Sequence, residues 1–414
     1  MRHLFCWVAM AFLCGVSFTA AVAAEELPLD DAIRLAIDNN PTIAAGLFSA
    51  EAAKQAARGA KALTNPEISV APSMIGDAGS GDAMIFSQPL EINGSRKVRG
   101  QIAAREANAA GFDAMATRRD LVVRVKEVYW EVAWSQELVK LNQDNVEYLE
   151  TLRKAVQKQL DVGAAPGSQL LKTEVELAIA KQYLIQAQLE QSQAKATLNA
   201  LLNRPKDQEI TATDPLVSST MALDRAALQA AAQSQRPEIA AAQAQVAAAQ
   251  GQIRSARLRR VPDLALQARR DTFLAGSVGG VALQVVLPVL DWGSVKAERR
   301  SAEATFRSQQ KQLEATRNNV ALDVEQAVQS VAASAEIVGE YQGGILEKSE
   351  ELAQMARTGY EKGATGYLEV LEAQRTLRNA KTAYYSALAN HAKSIAQLEW
   401  ASGAANVGKT EVKK

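Results

Sequence analysis

Cysteine is almost missing from this 414-residue chain, which has only Cys6 and Cys14, both close to its start. Everything beyond them lacks both disulfides and thiolate metal ligands. Histidine is equally scarce: of the two, His3 and His391, only the second lies past the N-terminal segment. A zinc site takes three or four ligands, and His391 could recruit only carboxylates, so a histidine on a helix face is the simpler reading. Neither charge sign is in excess, with Lys+Arg and Asp+Glu at 46 each, and a nucleic-acid binder would need a basic surplus. After the first residues no apolar run approaches the length of a membrane-spanning helix, so any membrane crossing must use β-strands. There is no nucleophile triad, phosphate loop or nucleotide motif. No enzyme is expected, and no cofactor or resident metal.

What is present begins with an expected secretory signal at 1–23. Arg2 and His3 form its charged start, Leu4–Val16 its apolar stretch, and Ala21-Val22-Ala23 a small-residue cleavage site. Ala11-Phe12-Leu13 before Cys14 matches a lipoprotein signal poorly, so lipidation is not expected. The rest is rich in helix formers, and aromatics make up 5%.

The chain then repeats itself. Pro41-Thr42-Ile43-Ala44-Ala45 returns as Pro237-Glu238-Ile239-Ala240-Ala241, and 237 − 41 is 196. Pro66 returns as Pro262 at the same shift; Pro89 with Gly94 returns as Pro288 with Gly293 at 199, and Gly163-Ala164 as Gly363-Ala364 at 200. Landmarks in one order with a slowly growing offset mark a duplication with small insertions. The expected units are 24–220 and 221–403, followed by a tail at 404–414.

Each unit has one grammar. A short helix (29–40, then 223–235) and a second helix lead to Pro66 or Pro262. Two strands follow: Glu67–Met74 and Met84–Ile92, then Asp263–Phe273 and Val278–Pro288. Val281, Leu283, Val285 and Leu287 share one face, with Ala282 and Gln284 on the other. Long helical stretches come next, Ser95–Leu160 and Ser294–Tyr360, each about 100 Å if continuous. Glycine-bearing turns then reverse the chain into helices of roughly 35 residues, closing helical hairpins at 95–203 and 294–400. Leu121, Val125, Val128 and Val132, like Leu170, Leu177, Leu184 and Leu198, make coiled-coil seams. Trp130 and Trp134 on one helix face are read as packing.

Four strands are too few to close, and an open edge in lipid strands backbone groups at several kcal/mol each. Membrane barrels begin at about eight strands. Three copies would supply twelve strands and a cylinder of helices.

Gln88–Lys97 (Q-P-L-E-I-N-G-S-R-K), Leu287–Ser294 (L-P-V-L-D-W-G-S) and Tyr360–Gln374, in this duplicated order, resemble the TolC-like outer-membrane efflux proteins, most closely the cobalt–zinc–cadmium branch. The resemblance spans nearly the whole chain after the signal. It implies a mainly α fold with a small membrane β portion, and a homotrimer in which a 12-stranded β-barrel in outer-membrane lipid continues into a periplasmic α-barrel. The partners it implies are a periplasmic adaptor and an inner-membrane RND pump, with heavy-metal cations as cargo. Multidrug efflux or type I protein secretion through the same duct is the alternative, and a periplasmic adaptor or coiled-coil scaffold is a different class. An adaptor, however, would pair one helical hairpin with extensive β modules.

The resemblance also assigns residues. Glu369 and Glu372 match an acidic pair that rings the periplasmic aperture, the alternative being two solvated glutamates; the first unit carries Gln169 and Lys172 there. Tyr360 matches a tyrosine in an inter-helix lock whose acidic partner falls at Gln169 and whose basic one falls at Thr365, which allows a neutral Tyr–Gln bond or a Tyr that simply packs. Gly163, Ala164, Gly363 and Ala364, with Ala165, form turns on which an adaptor could dock. Pro89, Gly94, Pro288 and Gly293 mark the elbows between barrel and helices.

Overall fold

The computed structural model describes residues 25–71, 83–219, 223–273, 276–286 and 292–403. The expected signal, the tail, Leu287 and Pro288 lie outside them, as do residues 72–82.

The first half runs β1 (Glu25–Leu27), α1 (Leu29–Asn39), α2 (Pro41–Ala60), β2 (Glu67–Ala71), β3 (Ala83–Pro89), α3 (Ser95–Asp161), α4 (Gly167–Leu201) and β4 (Ile210–Ala212). The second runs α5 (Arg225–Gln235), α6 (Pro237–Leu258), β5 (Asp263–Phe273), β6 (Gly276–Val286), α7 (Ser294–Glu340), α8 (Leu346–Glu361) and α9 (Tyr367–Ser402). The strand expected over Met84–Ile92 stops at Pro89. Beyond it the chain must turn into the helix, and Glu91 already has φ 40°. Its partner is described only as far as Ala71.

β1 and β4, which nothing in the sequence pattern announced, pair in parallel away from the main sheet. The main sheet has the order β2–β3–β5–β6, antiparallel throughout. Directly opposed residues share a face. Ile68, Phe86, Ala268 and Val281 form one row; Leu266 and Leu283 flank it on one side, Val70 and Met84 on the other. All of these but Ala268 are among the exposed large hydrophobics. The opposite face is mixed: Gln267 donates to Gln284 at 2.6 Å and Arg269 to Asp271 at 2.8 Å, beside Ile85, Val278 and Val286, while Arg270 and Gln88 interrupt the first face. A row of exposed apolar side chains along one face suits contact with lipid.

The helices pack as one layer. α2, α3, α6 and α7 adjoin in that order beside the sheet, while α4, α3, α9 and α7–α8 adjoin further away. Leu121, Val125, Val128 and Val132 of α3 are buried with Leu198 and Ile210. At a shift of 199, Val320, Val324, Ala327 and Val331 of α7 do the same against Leu398. Duplicated sequence has become duplicated packing.

The second long helical stretch is not continuous. A π-helical turn at Tyr341–Ile345 breaks it, with Gly344 at φ 145°. The cause is arithmetic. From start to end, α3 covers 95–161 and its counterpart covers 294–361, so the shift is 294 − 95 = 199 at the start and 361 − 161 = 200 at the end. A π turn absorbs one extra residue in an α-helix. Ser349 donates its hydroxyl to the Ile345 carbonyl at 2.6 Å.

Candidate functional site: the hairpin tip and the membrane sheet

Both hairpins reverse through the same capping geometry. Gly163 and Gly363 each sit at φ 72°. Ala164 N–H donates to the Gln159 carbonyl and Ala364 N–H to that of Gly359, both at 2.7 Å. Gly163 and Gly363 donate to Leu160 and Tyr360 at 2.9 and 3.0 Å. This pairing is a Schellman motif, which needs a left-handed residue at its centre. Gly359 is constrained differently: a Cβ there would collide with Thr365. Gly163, Ala164, Gly363 and Ala364 are exposed, whereas Ala165 is buried.

The two hairpins meet at this end. Leu149, Leu152 and Val156 of α3 cluster with Leu177 of α4 and with Tyr367 and Leu371 of α9. Tyr360 donates its hydroxyl to the Gln159 carboxamide oxygen at 2.8 Å. Within one chain its partner is therefore Gln159, on the last turn of α3, and not Gln169. The tyrosine hydroxyl is half-buried, which raises its pKa, while the Gln159 bond opposes that rise. Thr173 and Tyr367 share a buried hydroxyl–hydroxyl bond of 2.6 Å across α4 and α9. Arg375 pairs with Glu176 across the same helices, and Arg378 stacks over the Tyr183 ring at 5.0 Å.

Glu369 and Glu372 are both exposed on the first turns of α9. They border a groove of about 770 Å³ with Leu171, Lys172 and Val175 on its far wall. Glu372 lies 3.8 Å from Arg375. That cation was not part of the sequence reading. Only its place on the same helix face, three residues on, could have suggested the contact.

His391 is buried and fully engaged: Nδ1 lies 2.9 Å from the Ser334 hydroxyl and Nε2 lies 3.0 Å from the Ser219 carbonyl. It ties α9 to α7 and to the chain leaving β4. Among the described residues no group of three or more His, Cys, Asp or Glu side chains is placed to hold a metal ion. Trp130 packs edge-on against Tyr129, with ring centroids 5.3 Å apart. Tyr129 itself was missed. Fully buried, it donates to the Asp214 carboxylate at 2.6 Å and accepts from the Thr213 and Asp214 N–H groups.

At the elbows, Gly94 and Gly293 precede α3 and α7 at φ 82° and 88°. Asn93 bridges the first elbow to the neighbouring strand, donating to Asp263 at 2.6 Å. Its counterpart Trp292 is 92% exposed.

A sheet that exposes a row of large apolar side chains, joined by glycine elbows to long single-layer helices, defines a membrane duct and not a globular domain. The chain belongs to the outer membrane efflux protein family, whose model matches residues 32–204 and again 228–404. It is 25% identical over 373 residues to the cobalt-zinc-cadmium resistance protein CzcC of Cupriavidus metallidurans, covering 88% of this chain and 87% of that one. It is also 25% identical over 311 residues to the pyoverdine export outer membrane protein OpmQ of Pseudomonas aeruginosa, covering 72% and 64%. The fold matches VceC of Vibrio cholerae (TM-score 0.77, 19% identity, 91% and 96% covered) and CusC (0.77, 19%, 90% and 91%). It also matches the open-state MtrE channel of Neisseria gonorrhoeae (0.76, 21%, 91% and 88%). The protein is thus an outer-membrane efflux channel of a tripartite system, with its helical portion in the periplasm, and is not an enzyme.

Proposed function

We propose that the chain works as a homotrimer, a passive exit duct for heavy-metal cations delivered by an inner-membrane RND pump through a periplasmic adaptor. One observation carries the assembly. Among the described residues the four-stranded sheet leaves β2 and β6 unpaired at its edges, while one face exposes a row of large apolar side chains. Lipid does not tolerate such edges, and three copies remove them in a 12-stranded barrel continuous with the helices. The likeness to a cobalt-zinc-cadmium resistance protein over most of both chains favours metal cargo. Relatives named for pyoverdine export and for toxin and drug export favour larger cargo through the same duct. The exposed turns at Gly163-Ala164 and Gly363-Ala364 are the adaptor contact in this reading. The tip lock is the Tyr360–Gln159 bond, and Glu369 and Glu372 face the aperture.

The test combines assembly with cargo. Detergent-extracted protein treated with an amine-reactive crosslinker should run as a trimer and conduct ions in planar bilayers. A deletion strain should lose tolerance to zinc, cadmium or cobalt more than tolerance to drugs. Soluble monomer alone would sink the channel reading, and drug sensitivity without metal sensitivity would sink the cargo.

A further inference from the structure

The chain as a whole is electrically balanced, with 46 basic and 46 acidic residues, but the collar where sheet turns into helices is not. Residues 58–67, 91–108, 254–263 and 292–300 together hold thirteen Lys and Arg against five Asp and Glu. Two of those carboxylates are already held, Glu91 by Arg99 and Glu298 by Arg259. The duplication keeps the imbalance. Arg58 returns as Arg254 and Lys61 as Arg257 at a shift of 196, and Lys97 returns as Lys296 at 199. Lys61 and Arg257 differ in type and share only their charge.

Helix geometry fixes the side on which two of these cations stand. From Lys97 to Tyr129 is 129 − 97 = 32 residues, and from Lys296 to Val328 is 328 − 296 = 32. At about 3.5 to 3.6 residues per turn this is close to nine turns, so each lysine stands within about 50° of its reference residue. Tyr129 donates to the Leu27 carbonyl of β1, and Val328 is buried in one cluster with Ala232 of α5. A single-layer wall around an open bore can carry such short accessory elements only outside. Lys97 and Lys296 are therefore on its outer flank.

One turn along from Lys97, Gln101 enters a groove of about 360 Å³ between α3 and α6, with Arg105, Asn108, Gln250 and Arg254. Among the described residues no carboxylate lines it. Lys97, Arg105 and Arg254 are exposed, and among the described residues none of them has an ion pair. Guanidinium forks beside amide donors suit the oxygens of a phosphate.

Depth selects the source of that phosphate. The strands cross the hydrocarbon, and a headgroup layer adds about 5–8 Å on each side of it. Lys97 and Gln101 lie about 5 and 10 Å beyond the Gly94 elbow along α3. Long basic side chains reach back toward such a layer, and anionic headgroups attract basic clusters at a membrane surface.

We propose that this outward basic collar binds the phosphate headgroups of anionic phospholipid in the periplasmic leaflet. Lys97 and Arg254 grip one headgroup across Gln101, and the contact sets the height of the duct in the membrane by charge. The inference rests on the outer-membrane placement alone, and neither the cargo nor the number of copies enters it.

The full-length protein is delipidated, placed in vesicles of equal phosphatidylglycerol and phosphatidylcholine, and re-extracted. Native mass spectrometry then counts the lipid it retains. Phosphatidylglycerol should exceed phosphatidylcholine by at least about fivefold. K97Q/R254Q should bring that ratio close to one. R118Q/R317Q removes the same charge from exposed positions about 30 Å further along α3 and α7, and should leave the ratio unchanged. An excess of inorganic phosphate should not displace the lipid. Equal retention of both lipids by the unaltered protein overturns the proposal, as does an unchanged ratio in K97Q/R254Q or an equal fall in both variants. Displacement by inorganic phosphate overturns lipid as the occupant. Conductance in planar bilayers, read on the same samples, tests the channel separately, so equal retention by a conducting protein removes the collar alone.

Discussion

Asn40 and Arg236 occupy equivalent positions, 196 residues apart, and each ties the start of one helix to the end of another. The Asn40 side-chain amide donates to the Leu201 carbonyl at 2.8 Å, so that α2 begins where α4 stops. Arg236 reaches the Ala401 carbonyl at 3.3 Å, linking α6 to α9. Arg236 also holds Glu238 and Asp323 and lies 4.3 Å from the Trp400 ring. Different chemistry serves one joint.

Asn40→Ala removes that link and also the cap in which Asn40 accepts from Thr42 N–H. The expected cost is about 1–2 kcal/mol. Thermal unfolding of the extracted protein measures it; an unchanged midpoint would show that the joint bears no strain on α2.

Burial, followed by the bond to Asp214, pushes the Tyr129 hydroxyl from 10.0 to about 12. A raised pKa means the folded state keeps its proton longer than the unfolded chain. The resulting stability is complete below pH 10 and is lost as pH climbs through the window up to about 12, by about 2–3 kcal/mol at most. Tyr129→Phe should weaken the fold by about 1–3 kcal/mol at neutral pH and flatten part of the alkaline loss. Unfolding curves of both proteins on either side of pH 10 decide it, and identical alkaline slopes would refute the assignment.

Gly344 has a backbone angle that side chains with a Cβ rarely adopt. Gly344→Ala should cost about 1–3 kcal/mol locally. Hydrogen exchange should quicken across 338–349 while the α3 core around Val125 keeps its protection. Uniform acceleration, or none, would count against a local break.

Of the two carboxylates at the tip, Glu372 already has Arg375 at 3.8 Å, and among the described residues Glu369 has no ion pair of this kind. Glu369→Gln should thus reduce cation preference more than Glu372→Gln, and the double change should reduce it most. Reversal potentials across a salt gradient report this order. Equal effects would mean that Arg375 does not screen its neighbour.

The parts legible in the sequence were those governed by long periodic patterns. Leu121, Val125, Val128 and Val132 gave away the seam of α3, and the repeated glycines gave away the left-handed residues that open and close the long helices. β1 and β4 escaped because three residues are too few to show a period of two, and their pairing depends on a partner nearly two hundred residues away. The Tyr129–Asp214 bond escaped for the same reason of distance. Gly343-Gly344 stood inside an otherwise helical pattern, yet the growth of the offset from 199 to 200 was already visible as a surplus residue. Gln159 could not be told from Gln169 by type: one closes α3 and the other opens α4, and only the packing of the two hairpins decides which carboxamide faces Tyr360.

That surplus residue has a consequence for whatever meets the periplasmic end. A perfect tandem copy, closed by threefold rotation, would offer six indistinguishable landing places. Here the second hairpin is set one residue out of step beyond Ile345, and it carries Glu369 and Glu372 where the first carries Gln169 and Lys172. The ring would therefore alternate between two kinds of socket, and a partner arriving in six copies would have to bind in two distinct ways.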